Sequence, residues 1–445
     1  MLTDALMLAR IQFALTAIFH YLYPPFTIGL GWIMVYMSYQ RLKTGEEIYD
    51  KMARFWTNIF AVTFAMGVTT GIVMEFEFGT NWSEYSRFVG DVFGSPLAAE
   101  ALISFFLESA FLGVLVFGWN RVSKKAHFFS TLMVALGATL SALWILVANS
   151  WQHTPAGFHI VETPLGPRAE IISFWQMFFN PSTVGRYSHV IFSAMLTASF
   201  FVMSISALYI LKGKYEEFAR RSFKIALVFG VIGAYFTLFA GHHQAIVVAR
   251  HQPAKLAAFE GHFKTTEGGT PYYLFGIPNE QEKKVDYGVT IPGFLSFLVY
   301  FDFNKPVKAL DQFPPEDQPP VKLPFFTFHL MAGLGMFFIA LTTLSLFLWW
   351  KGKLFDYRWL LWVFVFSLPL PYVSNMAGWI AAEVGRQPWI VQDLLRTQDG
   401  VSSGVSASQV LGSTLMFTTI YSLLFILYIF ILVKKIKKGP EIINH

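Results

Sequence analysis

The sequence predicts an all-α integral membrane protein, a bundle of nine transmembrane helices. Of its 445 residues, 54% are hydrophobic and 14% are charged, whereas soluble domains average about 25% charged residues. Nine apolar stretches are long enough to cross a bilayer, which takes about 20 helical residues. We place them near residues 11–38, 56–74, 96–118, 127–149, 187–211, 225–241, 325–350, 359–378 and 409–433.

Lysine and arginine residues set the predicted orientation, because they are enriched in cytoplasmic loops. One set of alternate short connections holds nineteen of them, and the opposite set holds five. The first set is therefore predicted to be cytoplasmic, with the N-terminus outside and the C-terminus inside. The N-terminal segment shows no small-residue cleavage pattern after its apolar run, so we expect a retained first helix.

These spans form one predicted membrane domain with one unusual connection. Helices 1–6 fall within residues 1–241, and helices 7–9 fall within residues 325–445 with a short cytoplasmic tail. Residues 242–324 form an outer loop of mixed charge, and connections this long are usually functional or disordered. Its first part, residues 252–261, is predicted to be helical and its later part is not.

Composition limits the chemistry that the chain can perform. Because the chain has no cysteine, disulfides, cysteine-ligated iron–sulfur clusters and thioether-linked haem are excluded. The remaining candidate metal ligands are His, Met and carboxylate side chains. The net charge of +5 is explained by basic cytoplasmic loops, so nucleic-acid binding is not expected.

The segment Gly378–Trp389 is the first candidate site. It carries Glu383, Arg386 and Gln387 at the end of an apolar stretch, where ionisable groups are costly unless they are paired or bound. Trp379 and Glu383 lie one helical turn apart and share a face. Either a functional site or an interfacial aromatic belt with an Arg–Glu ion pair would give this pattern.

Five possible haem-ligand side chains fall at similar predicted depth, in the outer half of the membrane. Glu100, His189 and Met331 are expected to open helices 3, 5 and 7, while His20 lies inside helix 1 and Glu383 follows helix 8. A single His in an apolar helix is more often hydrogen-bonded than a ligand, and Met331 alone would be core. Together they indicate a layer of several haems.

Helix 3 also carries a polar stripe. Glu100, Ser104 and Glu108 recur every four residues, and each step advances about 6 Å. Glu108 is thus expected about 12 Å nearer the cytoplasm than Glu100, as a proton relay would require, and Ser141 could extend it. The alternative is that these carboxylates only hydrogen-bond neighbouring helices.

The order G-W-x-x-x-E-x-G-R-Q-P-W at residues 378–389 resembles the signature of subunit I of the cytochrome bd-type quinol oxidases. The resemblance covers nearly the whole chain. Further matching segments are His20–Pro25, Gly79–Trp82 and Gly90–Glu100 at the expected second and third helix junction, Asn149–Trp151, and Met331–Gly335.

The resemblance implies roles for individual residues. His189 and Met331 would be the axial ligands of a low-spin b haem, and such ligation raises the potential. His20 and Glu383 would be ligands in a high-spin haem pair. Glu100 and Glu108 would serve proton delivery and the high-spin site. The remaining residues expected to bind cofactor are Trp379, Arg386 and His329, the last in place of an Arg that many members carry.

The resemblance also implies that residues 242–324 are a quinol-binding loop of the shorter kind. In this loop, Lys255 and Glu260 match positions that influence quinol oxidation. A hydroquinone loses two protons with two electrons, so a carboxylate acceptor beside a Lys suits the reaction. From the residues alone, an exposed Lys–Glu pair is the favoured alternative.

The implied function is a terminal respiratory oxidase of a bacterial or archaeal plasma membrane. Quinol, menaquinol or ubiquinol, would be oxidised at the outer face, and O₂ would be reduced to water with protons from the cytoplasm, which generates membrane potential without pumping. The implied cofactors are two b-type haems and a third high-spin haem, d-type or b-type. The implied partners are a second large membrane subunit and a small single-helix subunit.

Two other functions stay open on the residues themselves. One is a haem-free transporter whose buried carboxylates and Pro-broken helices line a substrate path. The other is a b-type cytochrome that oxidises quinol and passes electrons to a partner without meeting O₂.

Overall fold

The computed structural model describes residues 4–440, which form a bundle of long helices. Nine helical segments in this part of the chain are long and apolar enough to cross a membrane, which confirms the nine predicted spans. Each is longer than the apolar stretch that predicted it. They are Ala5–Thr44, Glu47–Thr80, Ser83–Phe117, Lys124–His153, Thr183–Leu211, Glu216–His251, Lys322–Trp350, Arg358–Val384 and Ala407–Lys438.

Several of these spans are built from more than one helix, and short elements connect them. The helices are α1 Ala5–His20, α2 Pro24–Thr44, α3 Glu47–Thr80, α4 Ser83–Ala99, α5 Phe106–Phe117, α6 Lys124–His153, α7 Phe174–Phe178, α8 Thr183–Leu211, α9 Glu216–His251, α10 Pro253–Phe259, α11 Phe294–Tyr300, α12 Lys322–Trp350, α13 Arg358–Phe366, α14 Leu370–Val384 and α15 Ala407–Lys438. The strands form three antiparallel hairpins: β1 Phe158–Thr163 with β2 Gly166–Ile171, β3 Tyr272–Asn279 with β4 Lys284–Ile291, and β5 Trp389–Val391 with β6 Leu395–Arg396.

Proline and polar residues explain where the helices break and where the predicted bounds were wrong. α2 begins at Pro24, whose missing N–H is harmless in a first turn. The span predicted at 96–118 begins at Ser83. Its first part, α4, contains polar residues, so the apolar stretch that predicted the span begins later than the helix. Residues 90–100 therefore lie within a span and not at a junction.

The candidate ligands consequently lie deeper in their helices than expected. Glu100 begins a π-helical turn, Glu100–Phe105, in the middle of its span. His189 and Met331 each lie well beyond the first turn of their helices. Glu383 lies in the last turn of α14 and does not follow it.

Helix α8 is the central element of the bundle. In the apolar 18-residue stretch of this span, 78% of the residues are buried, whereas the share is at most 44% in the other spans. Small residues let neighbouring helices approach it closely, as is usual in membranes. A Cβ on Gly29 of α2 would lie 2.8 Å from the Cβ of Ala198 in α8.

The connection predicted to be the outer loop, named the outer connection below, is shorter than residues 242–324, because α9 continues to His251. The predicted helical part is confirmed as α10, Pro253–Phe259. The β3–β4 hairpin and α11 follow. Hydrogen bonds from the backbone N–H groups of Leu310 and Asp311 to the carbonyl groups of His262 and Phe263 fold the connection back on itself.

Candidate functional site

The carboxylate of Glu383 is the centre of a buried polar cluster. Its Oε2 atom accepts from Nη2 of Arg386, so the predicted ion pair forms. Its Oε1 atom lies 3.0 Å from Nε2 of His153 and accepts from Nδ2 of Asn149 at 3.3 Å. A second guanidinium, that of Arg186, lies 3.8 Å away and also donates to Asn149. Two guanidinium groups therefore lie beside this carboxylate at the end of a membrane helix.

His153 connects this cluster to the outer connection. Its side chain is fully buried, and its Nδ1 atom lies 3.0 Å from Nζ of Lys255 in α10. Lys255 is in turn 3.5 Å from Oε1 of Gln252. A continuous chain of polar contacts therefore runs from α10 through α6 to Glu383.

Lys255 and Glu260 are both buried, at 3% and 2% exposure, so the alternative of an exposed pair is wrong. Nor do they pair with each other, since Lys255 contacts His153 and Oε2 of Glu260 has no hydrogen-bond partner among the described residues. Burial raises the pKa of Glu260 to about 8. Burial and then the positive charge of Arg186 hold the pKa of Lys255 well below its usual value. Both groups are thus shifted toward their neutral forms.

Gly385 lets α10 approach the Glu383 cluster closely. A Cβ at this position would lie 2.8 Å from Cε1 of Phe259 and 3.1 Å from Cγ of Lys255. Contacts of this length are tighter than van der Waals packing allows. The glycine between Glu383 and Arg386 in the sequence therefore has a steric reason.

His189 and Met331 are each faced by a glycine on a neighbouring helix. Nδ1 of His189 lies 3.1 Å from the carbonyl oxygen of Thr237 and donates a hydrogen bond to it. The Nε2 atom therefore keeps a lone pair that is available to a metal. A Cβ on Gly241 would lie 3.1 Å from the His189 ring, and one on Gly378 would lie 2.7 Å from Sδ of Met331.

His20 has the same arrangement. The hydroxyl of Thr70 donates to the carbonyl of Met66, so it accepts from Nδ1 of His20 at 2.9 Å and leaves Nε2 free. A Cβ on Gly71 would lie 3.2 Å from the ring. The next residue, Tyr21, packs edge-on against Trp379 with ring centroids 5.4 Å apart.

These residues fit haem. Two imidazoles with a free Nε2 and one thioether supply suitable axial ligands. Propionate groups need buried cationic donors, and Nε and Nη1 of Arg386 and Nε of Arg186 are buried without a hydrogen-bond partner among residues 4–440. Arg186 also lies over the ring of Trp379, at 5.9 Å.

His329 does not fit the predicted contact with a haem propionate. Its Nδ1 atom lies 2.8 Å from the carbonyl oxygen of Phe325, and its Nε2 atom lies 2.7 Å from that of Tyr273. The Nδ1 contact lies within α12, and the Nε2 contact links α12 to the β3–β4 hairpin, so both ring nitrogens face backbone carbonyl groups.

The predicted polar stripe of Glu100, Ser104 and Glu108 contacts helix α6. Ser141 of α6 donates to Oε1 of Glu100 at 2.6 Å, as the stripe's predicted extension requires. Glu108 and Ser104 are buried, at 6% and 0% exposure. α6 reaches them at Gly137, whose Cβ would lie 2.9 Å from that of Glu108. The π-helical turn shifts the spacing between Glu100 and Glu108 away from a regular α-helix.

Sequence reasoning missed His153, Asn149 and Arg186 as members of the site. A signal was present, because His153 lies four residues after Asn149 and so shares its helix face. Arg186 lies three residues before His189 on α8 and shares a face with it in the same way. His153, Asn149 and Arg186 come together at Glu383 only in the folded chain.

The chain is similar to known proteins over nearly its whole length. The family model for cytochrome bd terminal oxidase subunit I matches residues 8–440. Cytochrome bd ubiquinol oxidase subunit 1 of Bacillus subtilis (strain 168) is 40% identical over 449 residues, which cover 99% of this chain and 95% of that protein. Cytochrome bd-II ubiquinol oxidase subunit 1 of Escherichia coli (strain K12) is 35% identical over 503 residues, 98% of this chain and 97% of that protein.

A solved structure has the same fold. The bd oxidase from Geobacillus thermodenitrificans matches with a TM-score of 0.90 and 28% sequence identity, over 98% of this chain and 99% of that one. Nine spans and these relatives place the chain in a bacterial plasma membrane as a multi-pass protein. The family acts on quinol, carries haem and includes a partner subunit. The chain belongs to the cytochrome bd terminal oxidase subunit I family.

Proposed function

We propose that this chain is the haem-bearing subunit of an enzyme that oxidises quinol at the outer face of the membrane and reduces O₂ to water. The observation that carries the proposal is the chain of contacts from Lys255 through His153 to Glu383. It brings the outer connection, where quinol would bind, to the carboxylate of the family signature. Electrons and protons from quinol would therefore be released next to the haem site.

His189 and Met331 would hold the low-spin b haem, and His20 and Glu383 would each hold one of the two high-spin haems, one of b type and the other of d or b type. Arg186 and Arg386 would bind propionates. Bound haem would supply one-electron transfer and O₂ binding. Trp379, held between Tyr21 and Arg186, would fix the wall of this site.

The quinol reaction needs a group that accepts protons. Glu260 is suited to this role, because its Oε2 atom is unpartnered among the described residues and its pKa is raised by burial to about 8. A base with a pKa near the working pH is efficient. Lys255, shifted toward the neutral amine, would donate a hydrogen bond to a quinol oxygen while His153 orients it.

Protons for water would come from the cytoplasm through Glu108 and Glu100. Glu108 is buried beside Gly137, and Glu100 is hydrogen-bonded to Ser141. If quinol protons leave outside and these protons enter from inside, each turnover moves charge across the membrane without a pump. A second large subunit, a small single-helix subunit and menaquinol or ubiquinol complete the proposed system.

Optical spectra of the purified complex test this function. We expect reduced-minus-oxidised bands of low-spin and high-spin haem, extraction of three haems per complex, and a CO-induced change in the reduced protein. Absence of all haem bands would indicate a transporter. Haem bands without a CO response would indicate a cytochrome that passes its electrons to a partner.

A further inference from the structure

A second polar site lies between α1 and α15, away from Glu383. Here a half-open cavity of about 200 Å³ lies between the two helices. Its wall combines aromatic rings with amide and hydroxyl groups, chiefly Gln12, Thr16, Phe19, Thr414, Thr418 and Tyr421. The proposed chemistry at His20, Glu383 and Glu260 uses none of the polar groups in this wall.

A buried network of side chains crosses the inner wall of this cavity. Gln12 is 2% exposed and accepts from the hydroxyls of Ser413 and Thr414 of α15, at 2.9 and 3.0 Å. Thr16 is 1% exposed and donates to Oε2 of Glu77 of α3 at 2.9 Å. The network thus joins three membrane spans at one carboxylate.

Two polar atoms of this network are left without a partner. Glu77 is 1% exposed, and its Oε1 atom makes no hydrogen bond within residues 4–440; the same holds for the hydroxyl of Tyr421, which is 5% exposed. Leaving a buried polar group unsatisfied is costly, and such groups in native proteins bind ordered water. One water needs only about 10–15 Å³, so the cavity has room for several.

The cavity also lies close to a predicted haem ligand. Gln12, Thr16 and His20 recur every four residues and share one face of α1. Thr16 bonds to Glu77 and His20 bonds to Thr70, both on α3. The polar face of α1 therefore leads from the cavity to His20 within one helical turn.

We infer that this cavity is a water-filled site anchored by Glu77, and that it serves as an outlet for the water formed from O₂ beside His20. The proposed outlet rests on the proposed function, whereas the hydration of the site does not. Water is the ligand whose donors and acceptors can satisfy a carboxylate oxygen, a phenol and an amide together. The proposed outlet would run along α1 past Gln12.

Hydroxyl-radical labelling tests the hydration directly. X-ray radiolysis of the resting purified complex makes radicals from bound water, and mass spectrometry then locates the oxidised side chains. We expect Tyr421 and Phe417, which line the cavity, to be oxidised several-fold faster than Phe430, which is 63% exposed on the apolar outside of α15. Equal rates for Tyr421 and Phe430 would overturn the site.

A matched pair of variants tests the location. Thr418→Phe fills the cavity, whereas Thr419→Phe places the same ring at the next residue, outside it. We expect labelling of Tyr421 to fall several-fold in Thr418→Phe and to stay at the wild-type rate in Thr419→Phe. Unchanged labelling in Thr418→Phe would contradict the proposal.

Oxygen consumption with excess quinol then tests the outlet. We expect Thr418→Phe to slow turnover several-fold with haem spectra and quinol KM unchanged, and Thr419→Phe to turn over normally. Normal turnover in a dehydrated Thr418→Phe variant would overturn the outlet. Failure of the proposed function would be distinguishable, because the wild-type complex itself would then consume no O₂.

Discussion

At the scale of single residues, His153 is the side chain on which the site depends. Its two ring nitrogens contact groups that are far apart in sequence, Lys255 and Glu383. Because His153 is fully buried, neither contact is replaceable by water without rearrangement. A change in the outer connection can therefore reach the signature carboxylate through one ring.

The pH dependence of quinol oxidation should report the ionisation of Glu260. Burial raises the pKa of Glu260 to about 8, so the base form increases as pH rises through that value. We expect the wild-type kcat/KM for quinol to rise toward pH 8. In Glu260→Gln this rise with pH should be absent, and kcat/KM should be lower by about 10²-fold or more. Steady-state rates from pH 6 to 9 measure this.

The control for this variant is Glu267→Gln, an exposed carboxyl in the same connection. It should keep the wild-type profile and rate. All haems should remain bound in both variants, since no proposed ligand is changed. A wild-type pH limb in Glu260→Gln would show that another group accepts the proton.

Met331→Leu should alter the low-spin haem alone. The exchange nearly conserves volume and should cost less than about 1.5 kcal/mol of folding stability, but it removes the thioether that faces Gly378. We expect the low-spin bands to shift or disappear, the high-spin bands to persist and quinol oxidation to fall. Met336→Leu on the exposed side of α12 is the control. Low-spin bands like those of wild type would contradict the assignment.

At the scale of elements, the π-helical turn Glu100–Phe105 lies between two carboxylates of one span that both face α6. Glu100 bonds to Ser141, whereas Glu108 packs against Gly137, one turn away on α6. Such turns are rare and often occur at functional sites. The span therefore presents its acids to one neighbouring helix.

Glu108→Leu should interrupt proton delivery without removing haem. A leucine leaves no ionisable group between Glu100 and the end of α5 at Phe117, so we expect oxygen consumption to fall by about 10²-fold while quinol still reduces the haems. Glu108→Asp should keep part of the rate. Membrane vesicles with an oxygen electrode and a potential-sensitive dye measure both. Undiminished potential in Glu108→Leu would mean that protons take another route.

At the scale of the whole molecule, orientation decides which face oxidises quinol. The chain contains no cysteine, so a single introduced thiol reports one position. We expect Lys283→Cys, in the turn between β3 and β4, to react with an impermeant maleimide in intact cells. Lys437→Cys, in the last turn of α15, should react only after the membrane is opened. The reverse pattern would invert the proposed direction of charge movement.

The number of spans, their order and most of the candidate ligands could be predicted from the sequence. Hydrophobic length and the distribution of basic residues are properties of the chain that need no partner to be recognised. The signature at 378–389 and the spaced carboxylates could be seen for the same reason, since one helix carries them. Span ends were less predictable, because polar turns such as those of α4 continue helices beyond their apolar cores.

The side chains that meet could not be predicted from the sequence, because they are brought together by helix packing. The contact of His153 with Glu383 joins residues 230 positions apart, and that of Lys255 with His153 joins residues 102 apart. No periodicity within one helix encodes such pairs, because they depend on how α6, α10 and α14 pack. For the same reason the burial of Lys255 and Glu260, the use of both His329 nitrogens by backbone carbonyls, and the Glu77 cavity became visible only in the folded chain.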